Sequence, residues 1–254
     1  MFGTNRKWLF IPVALLLLGC GADTSDADAA AGEAHAAAML PVNVAAALGL
    51  PLAPNHCTAL SFNGQVDVKF QVAPTPEVLA DQPQQLQLSL NGEKLLVGSE
   101  VPVRAELHCT CPQSVRLLGD AKLTFAGERC APAQLAAYGK SSLRWGDWTG
   151  GAMELRASGF ARVAAPVVDA EQVRVLAAGN GEVSVQGRSD AIFADVTGAA
   201  KVSSATLQVQ SAEVVATGRA QVTLNATAHV AVELAKESDV QVSNVGPAPV
   251  QFEP

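Results

Sequence analysis

Five cysteines and two histidines are the residues whose types could support covalent or metal chemistry. They are Cys20, Cys57, Cys109, Cys111 and Cys130, with His56 and His108 each directly before a cysteine. Thiolates and imidazoles are ligands that zinc prefers, whereas thiols in an oxidising compartment pair as disulfides. The compartment in which the chain resides therefore decides between a metal site and covalent cross-links.

The N-terminus carries the features of a bacterial export signal. Two basic residues precede an apolar run from Trp8 to Leu18, which is too short to span a bilayer. Residues 17–20 read Leu-Leu-Gly-Cys and resemble a lipobox, so we expect residues 1–19 to be a signal peptide and Cys20 to carry lipid. Gly21 then favours sorting to the outer membrane by the rule known for enteric bacteria. The sequence predicts an exported lipoprotein, held by Cys20 in the cell envelope of a Gram-negative bacterium.

The next segment, residues 20–56, is rich in alanine with Asp, Ser, Gly and Pro, and has too few large side chains for a core. It is predicted to be a flexible tether between the lipid and a folded head. Loss of residues 1–19 removes two of 17 basic residues and none of 24 acidic ones, which leaves 15 minus 24, a formal charge of −9. Nucleic acid is therefore not an expected partner.

Alternation of apolar and polar residues predicts β-strands from residue 57 onward. Val66, Val68 and Phe70 alternate with polar residues, which is the period of a half-buried strand. A second alternating run ends at Asn91-Gly92, a dipeptide that type I′ hairpin turns prefer. Residues 57–118 are predicted to form the strand and hairpin part of the head.

A repeat of about 20 residues occupies the rest of the chain. Six glycines and a serine recur at intervals of 20, 20, 20, 19, 20 and 20 residues: Gly119, Gly139, Gly159, Gly179, Gly198, Gly218 and Ser238. Four positions after each stands an aliphatic residue: Leu123, Leu143, Val163, Val183, Val202, Val222 and Val242. The residue directly before each aliphatic residue is polar or charged, as Arg162 and Glu182 are, and is expected to face outward.

Short strands without helices cannot bury an apolar face alone, so the repeats must stack on one another. We therefore predict an all-β protein: a parallel β-solenoid, or β-helix, over residues 119–254, capped by the N-terminal hairpin region. The aliphatic residues would form one buried column, and a glycine at each corner would adopt a positive φ. Right-handed winding is the expectation for parallel crossovers.

The cysteine spacing fits coils of this length. Cys130 follows Cys111 by 19 residues and Cys109 by 21, so it could meet either on an adjacent coil. Cys57 would take the remaining partner, whereas a bridge from Cys109 to Cys111 would be strained. Export favours disulfides over zinc, so no metal and no cofactor is expected.

Three aromatic residues are candidates for carbohydrate contact: Tyr138, Trp145 and Trp148. Exposed and aligned, they could stack on sugar rings; the alternative is that they cover a corner or a coil end. An enzyme would need a cluster of carboxylates walled by long loops between coils. Coils of constant length leave no such loops, so no catalytic residue is assigned and a non-enzyme is predicted.

The strand motifs FNGQVDV and LNGEKLLV, followed by the glycine-then-valine coils, resemble the head GIN domain family of bacterial surface proteins over residues 62–247. That resemblance implies a β-solenoid and an exported location, and it implies no activity. We expect a non-catalytic envelope lipoprotein whose rigid head binds or adheres to an envelope polysaccharide or protein. The alternatives are an envelope carbohydrate-active enzyme of the β-helix type and a self-assembling stalk.

Overall fold

The computed structural model describes residues 42–125, 130–235, 237–243 and 251–253. All of them belong to one compact unit, Leu40–Pro254. The predicted signal peptide, Cys20 and the first part of the predicted tether lie outside the described residues. Within the described ranges, no helix has the length and apolar character needed to cross a bilayer.

The described residues are almost entirely β-structure. The strands are β1 (Val42–Asn43), β2 (Ala59–Val72), β3 (Glu77–Ala80), β4 (Gln87–Asn91), β5 (Lys94–Cys109), β6 (Ser114–Gly119), β7 (Lys122–Phe125), β8 (Gln134–Gly139), β9 (Ser142–Arg144), β10 (Asp147–Gly159), β11 (Arg162–Gly179), β12 (Glu182–Gly198), β13 (Lys201–Gly218), β14 (Gln221–Leu234), β15 (Asp239–Ser243) and β16 (Gln251–Glu253). One short α-helix, α1 (Val44–Ala47), and two 3₁₀ turns, Pro54–Cys57 and Pro83–Gln85, precede or interrupt the early strands.

Successive coils pair through parallel ladders in the predicted register. From β10 to β14 each strand pairs in parallel with the next, and glycine lies opposite glycine at the corners, as in Gly159 against Gly179. Buried aliphatic residues at equal positions form the core column: Leu123, Leu143, Val163, Val183, Val202 and Val222. The predicted parallel β-solenoid with coils of about 20 residues is confirmed.

The N-terminal strands are layers of the same stack, but not in sequence order. The first half of β2 pairs in parallel with β6 and its second half with β7, while its other edge pairs with β5. β5 is thus the outermost full layer, and the antiparallel strands β3 and β4 cover its free edge. The two covered segments of β5, residues 94–98 and 105–108, are thereby not available for pairing with a further strand.

The β4–β5 hairpin forms one residue later than predicted. Asn91 pairs with Lys94, so the turn residues are Gly92 and Glu93 rather than Asn91 and Gly92. This register places Leu90 opposite the buried Leu95. A turn centred on Asn91-Gly92 would instead set Leu90 against a glutamate, so apolar cross-strand pairing decides the register.

The folded head begins earlier in the chain than predicted, inside the segment expected to be a flexible tether. β1 pairs with β3, and α1 buries its first residues, Val44 and Ala45, against the head. Asn43 holds this segment in place, because its Nδ2 donates to Glu77 Oε1 at 3.0 Å and its Oδ1 accepts from the N–H of Ala46 at 3.1 Å. Residues 42–56 therefore belong to the folded unit, and the boundary predicted at residue 56 is wrong.

The last coil is two residues shorter than predicted. Val222 pairs with Val240 and Leu224 with Val242, so Val240, not Val242, continues the core column. The shortening follows Leu224, where β14 skips three residues of β13, 205–207, and a second shift before His229 returns one residue, which leaves a net shift of two. A shift of two residues preserves the alternation of inward and outward side chains, which is why the stack tolerates it.

Candidate functional site

The two tryptophans predicted to face a ligand are core residues. Trp145 and Trp148 are fully buried, and their indole N–H groups donate to the backbone carbonyls of Cys130 and Pro132, each at 2.9 Å. The ring of Trp145 stacks on Phe125 with centroids 4.7 Å apart. The prediction of an exposed tryptophan platform is wrong, because this coil encloses enough space for two indoles and supplies carbonyl acceptors for their polar atoms.

Tyr138, the third predicted contact residue, does face outward. It is half-buried on β8, and the guanidinium carbon of Arg116 lies 5.0 Å from its ring centroid. That distance is typical of a cation–π contact, and it occupies one face of the ring. Tyr138 is therefore part of a polar surface, with less open ring area than a free sugar platform would have.

The four downstream cysteines form two disulfides, Cys57–Cys109 and Cys111–Cys130, with Cα–Cα distances of 5.9 and 5.4 Å. This is one of the two pairings that the spacing left open. The second bridge joins neighbouring coils, and the first fastens the 3₁₀ turn Pro54–Cys57 to the end of β5.

The histidines beside these cysteines have structural partners. His56 Nδ1 accepts from the N–H of Ala53 at 3.1 Å, and His108 Nδ1 lies 3.5 Å from Glu77 Oε2. Oxidised cysteines offer no thiolates to zinc. Across the described ranges, no three His, Cys, Asp or Glu side chains are placed to share a metal ion.

A depression of about 320 Å³ lies on the outer face formed by β2, β6, β8, β10 and the start of β5. Its floor includes Ala136, which points outward yet is only 8% exposed. Parallel pairing places Ala136 between Arg116 on one neighbouring coil and Arg156 on the other. The depression exists because a methyl group stands between two long side chains, and we call it the Ala136 notch. Other residues that line it are Ala59, Lys94, Ser114, Gln134, Tyr138 and Glu154.

The charge lining the Ala136 notch is mainly positive. Lys94, Arg116 and Arg156 stand against a single carboxylate, Glu154, in a chain whose formal charge is −7. The Nε of Arg156 donates to Glu154 Oε1 at 2.6 Å, and this hydrogen bond is the main reason that the pKa of Arg156 is raised above its ordinary value. The Tyr138 side chain makes a smaller contribution to the same rise in the pKa of Arg156.

A second, shallower depression of about 310 Å³ lies farther along the same face, on β11, β12 and β13. It combines the part-exposed Phe193 with charged residues of both signs, Arg174, Asp195 and Glu213. Elsewhere two outward carboxylates form exposed ion pairs with the next coil: Asp169 with Arg188 at 3.0 Å and Glu182 with Arg162 at 3.1 Å. These pairs join neighbouring coils and do not converge on one point.

Sequence reasoning missed the Ala136 notch, although its signal is present in the repeat. The outward position two residues before Tyr138 holds Arg116, Ala136 and Arg156 in three consecutive coils. A small residue between two long ones in an outward column predicts a hollow. The outward residues that the repeat reveals, such as Arg162, follow the glycine corner, whereas this column comes before it.

Several solved structures share the fold. Two are described as putative adhesins: one from Parabacteroides merdae ATCC 43184 (TM-score 0.58, 13% identity, 78% of this chain and 92% of that chain), and one from Parabacteroides distasonis ATCC 8503 (TM-score 0.58, 13% identity, 77% and 92%). A third, from the same P. distasonis strain, is described as a putative lipid binding protein (TM-score 0.54, 13% identity, 78% and 92%). At this identity the likeness establishes the fold alone.

No curated protein matches the sequence. A family model does match it, over residues 58–246. That range begins just before β2 and extends past β15, so it takes in the N-terminal layers and the solenoid coils together. The chain therefore belongs to the family described as "Putative auto-transporter adhesin, head GIN domain".

Proposed function

We propose that this protein is a non-catalytic adhesion-type head, exported and held in the bacterial envelope by a lipid on Cys20. The description of its family and those of two structural neighbours as adhesins support an adhesive rather than an enzymatic role. The lipobox at residues 17–20 supports the lipid anchor. The partner is an envelope or cell-surface polysaccharide or protein.

The observation that carries the adhesive role is the straight alignment of outward side chains along the stack. Within the strand segments on either side of each glycine corner, neighbouring coils from β10 to β14 keep one register, and bulges shift it only between those segments. Equal positions therefore repeat at about 4.8 Å along each segment. Because the backbone of such a ladder is already ordered, a partner that binds to it does not have to fix the backbone, and that part of the entropy cost is avoided. A stacked solenoid thereby offers long, preorganised surfaces suited to extended partners.

The anchor is tested by Cys20→Ala in the full chain expressed in a Gram-negative host. We expect the wild type to incorporate radiolabelled fatty acid and to sediment with outer membranes, and the variant to lose the label. Cys57→Ala is the control, because it also removes one cysteine but lies in the head. Equal labelling of wild type and Cys20→Ala would contradict the anchor.

The adhesive role is tested with the purified lipoprotein displayed on liposomes and mixed with whole bacterial cells or isolated envelopes. We expect protein-bearing liposomes to bind well above bare liposomes, without release of reducing sugars from the envelope polysaccharide. Binding no better than that of bare liposomes would refute the adhesive role. Release of reducing sugars or unsaturated products would instead support the carbohydrate-active enzyme.

A further inference from the structure

We propose that the Ala136 notch binds the carboxylate-bearing sugars of an anionic polysaccharide. This inference rests on the proposed adhesive function and names the ligand class for one part of the head. It depends on three observations: the concave shape, the excess of cationic side chains, and the neutral hydrogen-bonding groups beside them.

The shape fits one sugar unit rather than a flat contact. Arg116 and Arg156 lie on coils two ladder steps apart, which separates their Cα atoms by about 9.6 Å, twice the strand spacing. The floor between them is Ala136, and the short side chains of Ser114 and Ala59 lie in the adjacent outward column, on the strand of Arg116 and on β2. A ring seated on this floor would therefore have a guanidinium group on each side.

The cations can accept an anionic ligand. Within the described part of the chain, neither Arg116 nor Lys94 forms an ion pair, and Arg116 is steadied only by its contact with the Tyr138 ring. Arg156 is held through its Nε by Glu154. That bond uses the Nε–H, so the N–H groups of the terminal nitrogens remain as donors for a carboxylate in the end-on geometry, with the Tyr138 side chain as their neighbour.

The neutral groups favour a sugar over a bare anion. Ser114, Gln134 and Tyr138 line the same notch, and their hydroxyl and amide groups can both donate and accept hydrogen bonds. Sugar hydroxyls need both kinds of partner, whereas phosphate or a carboxylate alone needs donors only. The combination of paired arginines with hydroxyl and amide groups matches a uronic-acid-type unit.

The test is calorimetric titration of the full-length lipoprotein in detergent micelles with polygalacturonate oligomers. Carboxyl-reduced oligomers of the same length serve as the matched neutral ligand. We expect binding to the acidic oligomer that weakens as salt rises, because salt screens the arginines, and at least tenfold weaker binding to the reduced one. Arg116→Gln and Ala136→Leu are each expected to weaken binding at least tenfold.

Arg144→Gln is the matched control variant. Arg144 is an exposed arginine on β9 of the same coil as Ala136, but it does not line the notch, so its loss changes the net charge equally. We expect its affinity to stay within twofold of the wild type. Unchanged thermal unfolding of Ala136→Leu would show that its loss of binding reflects a filled notch, because Ala136 points away from the core.

Several results would overturn the inference. Equal binding of acidic and reduced oligomers would remove the role of the carboxylate, and equal weakening by Arg116→Gln and Arg144→Gln would leave only a diffuse charge effect. Binding of poly-glutamate or inorganic phosphate as tight as that of the acidic oligomer would refute a sugar-selective site. If the liposomes bind cells but the protein ignores acidic oligomers, the inference fails while the adhesive function stands.

Discussion

Replacing one corner glycine tests whether the coils are held as tightly as the stack requires. Gly159 has a φ of +80°, and a Cβ built on it would lie 3.0 Å from the carbonyl oxygen of Gly139 on the neighbouring coil. The positive φ costs an L-residue about 1–2 kcal/mol, and forcing backbone atoms apart in a packed structure costs about 1–3 kcal/mol. Gly159→Ala should therefore lower the free energy of unfolding by about 2–5 kcal/mol.

Gly92→Ala is the matched control for this prediction. Gly92 also has a positive φ, +61°, but no atom lies within 4 Å of a Cβ built there. Its cost should be the conformational term alone, about 1–2 kcal/mol. The reduced freedom of the unfolded chain on changing glycine to alanine is common to both variants and cancels in the comparison.

The assay is equilibrium unfolding in denaturant, followed by far-ultraviolet circular dichroism and by tryptophan fluorescence. Two probes are needed because a stack of repeats can lose coils in steps, and coincident curves are required before one free energy is assigned. Trp145 and Trp148 lie within one coil of Gly159 and report on the stack near the substitution. If Gly159→Ala destabilises the protein no more than Gly92→Ala does, the close approach between coils is not a constraint and the reasoning fails.

Three further predictions concern the core, the disulfides and the surface. Trp145→Ala should lower the free energy of unfolding by about 3–5 kcal/mol, because it leaves a cavity in the core and removes a buried hydrogen bond. A variant as stable as the wild type would show that the indole does not stabilise the core. Replacing Cys111 and Cys130 together by serine should lower the free energy of unfolding by about 3 kcal/mol, which is the loop entropy for a separation of 19 residues. Reductant should then destabilise the wild type more than this variant. Equal sensitivity of the two proteins to reductant would contradict the bridge. Glu182→Gln should change the free energy of unfolding by less than about 1 kcal/mol, because the ion pair with Arg162 that it breaks is solvent-exposed. A larger loss in the same assay would mean that ion pairs between outward side chains hold the coils together.

The solenoid itself could be predicted from the sequence because its constraints repeat. A corner that needs a positive φ selects glycine at each coil, and a narrow interior selects aliphatic residues four positions later, so the period is visible without coordinates. One glycine of the same column, Gly64, could nevertheless not be recognised from the 20-residue period. Gly64 lies opposite Gly119 in the stack, but 55 residues separate them, because the chain visits the β5 layer before returning to β6.

Features that depend on neighbours in space could not be predicted in this way. Whether Trp145 and Trp148 are buried or exposed depends on the width of their coil, and the spacing of residues in the repeat carries no information on that width. The shift that brings Val240 into the core column leaves no mark on the apolar alternation, since it spans two residues. The Ala136 notch is defined by residues on three coils, so it becomes visible only when outward positions are compared at the observed register.

Both cross-links lie in the first part of the stack, between residues 57 and 130, and the Ala136 notch extends from the layers of that part onto the two coils that follow. A head that grips its target at this notch while being pulled from its N-terminal side would carry the tension through covalently fastened layers. The coils after β11 would stay slack under that load. With the proposed anchor and the proposed binding at the notch, the load would be borne between the N-terminal tether and the notch, and the coils after β11 could vary without weakening the attachment.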